Sequence, residues 1–294
     1  MATLGQWVAG ARPRTLFAAI APVVIGTAAA AQHSDPDYGI ALLAAVVALA
    51  LQVGVNYAND YSDGIRGTDD SRVGPVRLVG QRLARPESVK MAAFLTFGFA
   101  AVAGLALVAL SEAWLLLPLG ILSIVAGWKY TGGENPYGYM GLGEVFVFVF
   151  FGLVATLGTL YAQVGTITWF GVAAAVGVGA IASAILVINN LRDIPTDSQT
   201  GKHTLAVRLG DAGTRRFWLA LVVVSILMVG VMAIWDPFAL LGLLSIAAIW
   251  RAVQVVMHGA EGRRLVPVLG STGKYELVYA VTVFAGILTS RALG

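Results

Sequence analysis

About nine apolar stretches dominate this chain of 294 residues, each near the ~20 residues a helix needs to cross a bilayer. They fall at roughly 15–32, 39–59, 89–110, 113–129, 140–161, 168–190, 217–235, 238–257 and 275–293. The runs are continuous and rich in Ala, Leu, Val and Gly, without the alternation of a membrane barrel strand, so helices are expected. Charged residues make up 12% of the chain, against ~25% in soluble domains. The expected fold is therefore an all-α membrane protein: about nine transmembrane helices in a bundle, forming one polytopic domain over residues 1–294. Cys is absent, which excludes disulfides, thiolate metal sites and cysteine nucleophiles. No basic tract points to nucleic acid.

The basic residues set an orientation. Every Lys and Arg except Arg291 falls before the first stretch, in alternate connections or at the stretch ends that adjoin them, and cations concentrate on the cytoplasmic side of membrane proteins. The N-terminus is thus expected in the cytoplasm of a multi-pass cell-membrane protein. Arg12 and Arg14 before a first apolar run, with Ala28-Ala-Ala-Ala31-Gln32 near its end, imitate a signal peptide. A retained helix is the better reading, because eight further stretches follow.

Two acidic clusters, each led by asparagine, end two of the apolar stretches on that cytoplasmic side. The first reads Asn56-Tyr-Ala-Asn59-Asp60-Tyr-Ser-Asp63-Gly64, the second Asn189-Asn190-Leu-Arg192-Asp193-Ile-Pro195-Thr-Asp197. They are four stretches apart, so they take equivalent positions if the bundle is built from two similar halves related by an axis along the membrane normal. Asn56, Asp60 and Asp63 share one helical face, and Asn189 and Asp193 share the same four-residue spacing. Pro195 is expected to end or kink the second helix at Ile194, which puts Asp197 on the first turn of a loop. Carboxylates beside a bilayer core need compensation. Oxygen-only donors in a partly hydrated setting suit Mg²⁺, which keeps waters and bridges to phosphate oxygens. A diphosphate held between the clusters would meet Arg66, Arg77, Lys129, Arg192 and Lys202 on the same side. Most basic residues there are expected to serve topology and lipid headgroups. Lys129 stands out as the lone cation of its connection, directly ending an apolar helix. His33, His203 and His258 read as surface or loop residues. Phe146, Phe148, Phe150 and Phe151 read mostly as lipid-facing or packing side chains, a minority of which could line a prenyl groove.

Asn59-Asp60-x-x-Asp63 and the later Asp193-x-x-x-Asp197 on a nine-helix frame resemble the UbiA-type intramembrane aromatic prenyltransferases. Further segments are similar to one branch, the 1,4-dihydroxy-2-naphthoate polyprenyltransferases of menaquinone synthesis. They are Ala11-Arg-Pro-Arg-Thr15, Asn56 to Gly67 with Asp69-Asp70, Tyr130-Thr-Gly-Gly133 leading to Gly141-Leu-Gly-Glu144, Asn189 to Asp197, and Gly201 to Gly210. The superfamily's longer first motif ends in a third Asp, where this chain has Gly67. The resemblance implies transfer of a polyprenyl group from polyprenyl diphosphate to dihydroxynaphthoate, with loss of CO₂ and diphosphate. It implies Mg²⁺ held by Asp60, Asp63, Asp193 and Asp197, assisted by Asn56 and Asn189, at a cytoplasm-facing site next to membrane lipid. Asn59 belongs to the same motif, and Arg14 and Lys129 are candidates for the acceptor carboxylate or the diphosphate. Glu144, at the start of its stretch, either orients the acceptor or Lys129, or is a helix N-terminal acid favoured by the dipole.

Other readings differ at stated points. 4-Hydroxybenzoate, homogentisate or haem could replace the acceptor. A CDP-alcohol phosphotransferase shares Asp60-Tyr-Ser-Asp63-Gly64 but needs its second acidic pair within about twenty residues. A divalent-metal transporter would put its acids near the bilayer midplane rather than at helix ends.

Overall fold

The computed structural model describes residues 2–67 and 76–293, and every regular element among them is helical. A short amphipathic turn, α1 (Leu4–Gly10), leads into α2 (Phe17–His33), α3 (Tyr38–Ile65), α4 (Pro86–Ser111) and α5 (Leu116–Lys129). Then come α6 (Gly143–Val164), α7 (Trp169–Gln199), α8 (Leu205–Met232), α9 (Pro237–Met257) and α10 (Gly262–Leu293). Each apolar stretch of the sequence coincides with one of α2 to α10. Seven of these helices are long and apolar enough to cross a membrane, while α2 and α5, at 17 and 14 residues, are apolar but shorter. The chain is a multi-pass helical membrane protein.

Local chemistry sets where the helices begin. Asp37 caps α3 by accepting from the Ile40 amide at 3.0 Å, and Thr168 caps α7 by accepting from Gly171 at 3.0 Å. Thr204 and Asp236 do the same for α8 and α9. These side chains satisfy amides that a helix start leaves without intrahelical partners.

Two departures from the sequence reading matter for the site. The expected stop at Ile194 is not found: α7 runs to Gln199 with Pro195 inside it. Proline withholds one amide, the donor to the Leu191 carbonyl, and the helix continues past it; in the last turns Thr196 donates to the Asp193 carbonyl, Ser198 to Pro195, and Thr200 to Thr196. Asp193 and Asp197 therefore share one helix face. Conversely, α8 starts well before the stretch at 217–235 but is broken at Gly210, whose φ of 67° is left-handed.

The central helix is α7, most of whose apolar window is buried, whereas the other six long helices turn much of theirs outward. Its closest partner is α8, and α3 pairs as closely with α4. One core, including Ile25, Phe170, Ile181, Trp218, Tyr275 and Tyr279, joins α2, α7, α8 and α10. A second, around Tyr57, Leu78, Val89 and Phe97, seals α3 against α4. Helix α6 contains a π-helical segment at Phe148–Val154, and it presses on α7 where Gly152 faces Gly179. A Cβ on Gly179 would come within 2.8 Å of the Gly152 Cα, so only glycine permits this approach.

Candidate active site

A cavity of about 640 Å³ opens between α2, α3, α4, α5, α6 and α7. Along α3 its lining runs from Ala44 to Asp63. At ~1.5 Å per residue that is roughly 28 Å of helix, close to the ~30 Å hydrocarbon thickness of a bilayer. The far part is lined by Ala, Val, Leu and Phe. The near part holds both asparagine-led clusters.

Within the first cluster the residues have unequal duties. Asp63 lines the cavity; it accepts from the Tyr139 hydroxyl at 2.6 Å and pairs with the Lys202 ammonium at 3.5 Å. Asp60 does not line the cavity. Its two oxygens accept from the backbone amides of Leu78 and Val79 at 2.7 and 3.1 Å, which docks the segment before α4 onto α3. Asn56 donates to the Ala11 carbonyl at 2.9 Å and to Thr15 at 3.0 Å, and thereby fixes the chain entering α2. Asn59 accepts from Thr131 at 2.8 Å. Both asparagines also line the cavity.

The second cluster is arranged differently. Arg192 grips Asp193 with two bonds of 2.7 Å and donates to Asn189 at 2.9 Å. Arg192, Asn189 and Asp197 line the cavity, whereas Asp193 does not. The Asp197 carbonyl accepts from the Lys202 amide at 3.0 Å, which turns the lysine back over the site. Lys202 Nζ lies 4.4 Å from the centroid of Tyr139, so lysine and tyrosine connect Asp63 on α3 to the segment following α7.

Of the expected cations, Arg77, Arg192 and Lys202 line the cavity. Arg66 is exposed and donates to the carbonyls of Thr131 and Gly133. Lys129 is exposed and outside the lining. The side chain of Arg14 and residues Asp69 and Asp70 lie outside the described residues. Sequence reasoning missed Arg12, Gln52, Thr131 and Tyr139, which all line the polar end. Arg12 holds a left-handed φ of 54° before Pro13, an uncommon conformation for a long side chain. Its place in Ala11-Arg-Pro-Arg-Thr15 was the available signal.

A row of aromatic rings lines one wall of the cavity. Tyr130 meets Tyr137 edge-on at 5.5 Å, Tyr137 stacks on Phe146 at 3.9 Å, and Phe146 stacks near Phe150 at 6.1 Å. All four line the cavity, as does Phe151. Phe146, Phe150 and Phe151 thus line the groove, and Phe148 packs onto α7 against Gly179. Tyr137 donates to the Ala126 carbonyl at 2.9 Å, and burial pushes its phenol above the usual tyrosine range, so the proton stays in place.

The donor set suits a hard divalent cation. Asp63, Asp197 and Asn189 offer oxygen at the polar end, and no thiolate or imidazole lines it. Among the described residues no three acidic or histidine side chains gather as a cage for one ion. Such an arrangement fits Mg²⁺, which takes one or two carboxylates and completes its shell with water and substrate phosphate.

Fold and site define a membrane-embedded helical protein with one cavity that is polar at one end and apolar along the rest of its length. The model of the UbiA prenyltransferase family matches residues 19–265, and the chain belongs to that family. It is 54% identical over 288 residues to the 1,4-dihydroxy-2-naphthoate octaprenyltransferase of Mycobacterium tuberculosis, with 98% of each chain covered. A UbiA homolog from Aeropyrum pernix has the same fold, with a TM-score of 0.71 and 14% identity over 95% of this chain and 99% of that one. A UbiA homolog from Archaeoglobus fulgidus, bound to GPP and Mg²⁺, aligns with a TM-score of 0.68 and 12% identity over 96% and 99% of the two chains.

Proposed function

We propose that this protein transfers a polyprenyl group from a polyprenyl diphosphate to 1,4-dihydroxy-2-naphthoate, releasing diphosphate and CO₂ and yielding demethylmenaquinol. The observation that carries this reading is one cavity that is rich in oxygen donors and cations where the two clusters meet and apolar along the rest of its length. A diphosphate fits the first part and an isoprenoid tail the second. The 54% identity to a naphthoate octaprenyltransferase over nearly the whole chain supports the acceptor.

Each part of the chemistry has residues to serve it. Arg12, Arg77, Arg192 and Lys202 would hold the diphosphate and offset its charge as the allylic C–O bond breaks. Asp63, Asp197 and Asn189 would hold Mg²⁺, which supplies the positive charge that stabilises the departing diphosphate. Asp60 and Asp193 would act one step back, by docking the Arg77 segment and by restraining Arg192. Tyr137, Phe146 and Phe150 present ring faces that favour an allylic cation and exclude water. The ring carbon bearing the carboxylate attacks that cation, a C–C bond forms, and loss of CO₂ returns the electron pair that restores the aromatic ring. Positioning and electrostatics suffice, with no nucleophilic side chain.

The reading includes a topology. The connections that meet around the site carry nearly all the cations, which supports a cytoplasmic active site and a cytoplasmic N-terminus in the cell membrane. Tyr38, Trp114, Trp169 and Trp235 are exposed at the opposite helix ends, as expected of an interfacial aromatic belt. With α2 and α5, apolar but shorter, counted beside the seven long helices, the reading has nine crossings. The equivalent pairs α3–α4 and α7–α8, each led by a cluster-bearing helix, support two similar halves.

The deciding experiment is an acceptor panel. Purified protein with Mg²⁺ and a polyprenyl diphosphate should consume dihydroxynaphthoate, release its labelled carboxyl as CO₂, and stop when EDTA is added. Turnover of 4-hydroxybenzoate in place of dihydroxynaphthoate would overturn the acceptor.

A further inference from the structure

The acid at the start of α6 has no part in the reaction as described, yet it is buried against the cavity wall. Glu144 is 4% exposed, and one carboxylate oxygen accepts from the Asn190 amide nitrogen at 2.8 Å. The other oxygen is buried with no hydrogen-bond partner among the described residues. Ser183 of α7 donates to the Glu144 carbonyl at 3.2 Å and holds its backbone in place. Asn190 lines the cavity; Glu144 does not.

This pairing decides which way the asparagine amide faces. A carboxylate only accepts hydrogen bonds, so the NH₂ of Asn190 must turn toward Glu144. That leaves Oδ1, a pure acceptor, as the amide atom presented to the cavity. Asn190 directly follows Asn189 and precedes Asp197 by two helical turns, about 10 Å along α7, so it lies at the inner edge of the polar end. The stacked Tyr137–Phe146 pair lines the same cavity. An acceptor oxygen in one cavity with stacked aromatic rings suits a flat ring that carries a hydroxyl.

We propose that Asn190 Oδ1 accepts a hydrogen bond from a ring hydroxyl of the aromatic acceptor, and that Glu144 is the positioning residue that turns the amide for this task. The proposal rests on the prenyl transfer assigned above. Dihydroxynaphthoate donates only through its hydroxyls, while its carboxylate would be repelled by Oδ1. The contact therefore selects a phenol and fixes which edge of the ring meets α7.

Steady-state kinetics on the full-length protein test this, with dihydroxynaphthoate and its two mono-O-methyl ethers as acceptors. Wild type should turn over dihydroxynaphthoate and disfavour one ether by about tenfold or more, since a site built to bond a hydroxyl rejects analogues lacking it. Glu144→Leu and Asn190→Leu should raise KM for dihydroxynaphthoate about tenfold, leave KM for the polyprenyl diphosphate within about twofold, and erase most of the ether discrimination. Glu144→Gln can still accept from Asn190 and should restore both the acceptor KM and the discrimination to within about threefold of wild type. Discrimination that persists in Asn190→Leu overturns the proposal. So does equal loss for both substrates, or Glu144→Gln as impaired as Glu144→Leu. Asn190→Leu gives an independent answer if Glu144→Leu does not fold. Failure of wild type to prenylate dihydroxynaphthoate would instead sink the reaction itself.

Discussion

The two asparagine-led clusters look like copies of one device, but their carboxylates are spent differently. In each, the later acid reaches the cavity: Asp63 on α3 and Asp197 on α7. The earlier acid is occupied elsewhere. Asp60 binds backbone amides of a segment eighteen positions away in the chain, so its work is to build the wall that carries Arg77. Asp193 binds the side chain next to it, so its work is to govern where the Arg192 charge sits. One cluster uses its spare acid for architecture and the other for electrostatics. Similar spacing therefore does not imply similar duty, and each acid should fail in its own way.

The largest effect should come from the cavity acids. Asp63→Ala and Asp197→Ala each remove a carboxylate from the polar end, and turnover should fall about 10³-fold, comparable to losing a key electrostatic group at a reacting centre. Thermal unfolding in detergent should show both variants folded. Turnover near wild type in either would break the pairing of the two acids across the cavity.

Next come the supporting acids, where the comparison is sharpest. Asp193→Ala releases Arg192 toward the remaining carboxylates, and the Mg²⁺ concentration for half-maximal rate should rise about tenfold. Asp60→Ala leaves two buried amides without their acceptor, which should cost about 2–4 kcal/mol of stability and lower the melting temperature. Its Mg²⁺ requirement should stay near wild type, with a modest loss of rate. A Mg²⁺ shift in Asp60→Ala matching that of Asp193→Ala would show that both acids serve the metal and would erase the contrast.

Much of the frame was legible in the sequence because a membrane helix is written locally, in the length and continuity of an apolar run. The two clusters were legible for the same reason, since acids at the ends of such runs demand a partner. What could not be read is what depends on residues brought in from far along the chain. Asp60 turns toward Leu78 and Val79, and Tyr139 and Lys202 close over Asp63, through contacts that no spacing rule encodes. Pro195 misled because a proline removes one rung of the ladder without stopping the turns that follow, and α7 continues to Gln199. The phenylalanines of α6 misled because the side of a helix that meets a cavity is set by the helices packed around it, and Phe146, Phe150 and Phe151 fall on that side.

The smallest effect should come from a residue that the same reasoning singled out. Lys129 ends α5 as the only cation of its connection, and by isolation alone it resembles a substrate contact. In the fold it is exposed and lies outside the cavity lining, while Arg77 and Lys202, from more crowded basic segments, reach in. A lone exposed cation at a membrane edge serves topology and headgroup contact, both of which tolerate replacement. Lys129→Ala should therefore keep turnover and both KM values within about twofold, whereas Lys202→Ala should lose at least about tenfold through the unbalanced Asp63 and the missing charge beside Tyr139. Measured side by side, a larger loss at Lys129 than at Lys202 would move the diphosphate site away from the meeting point of the two clusters.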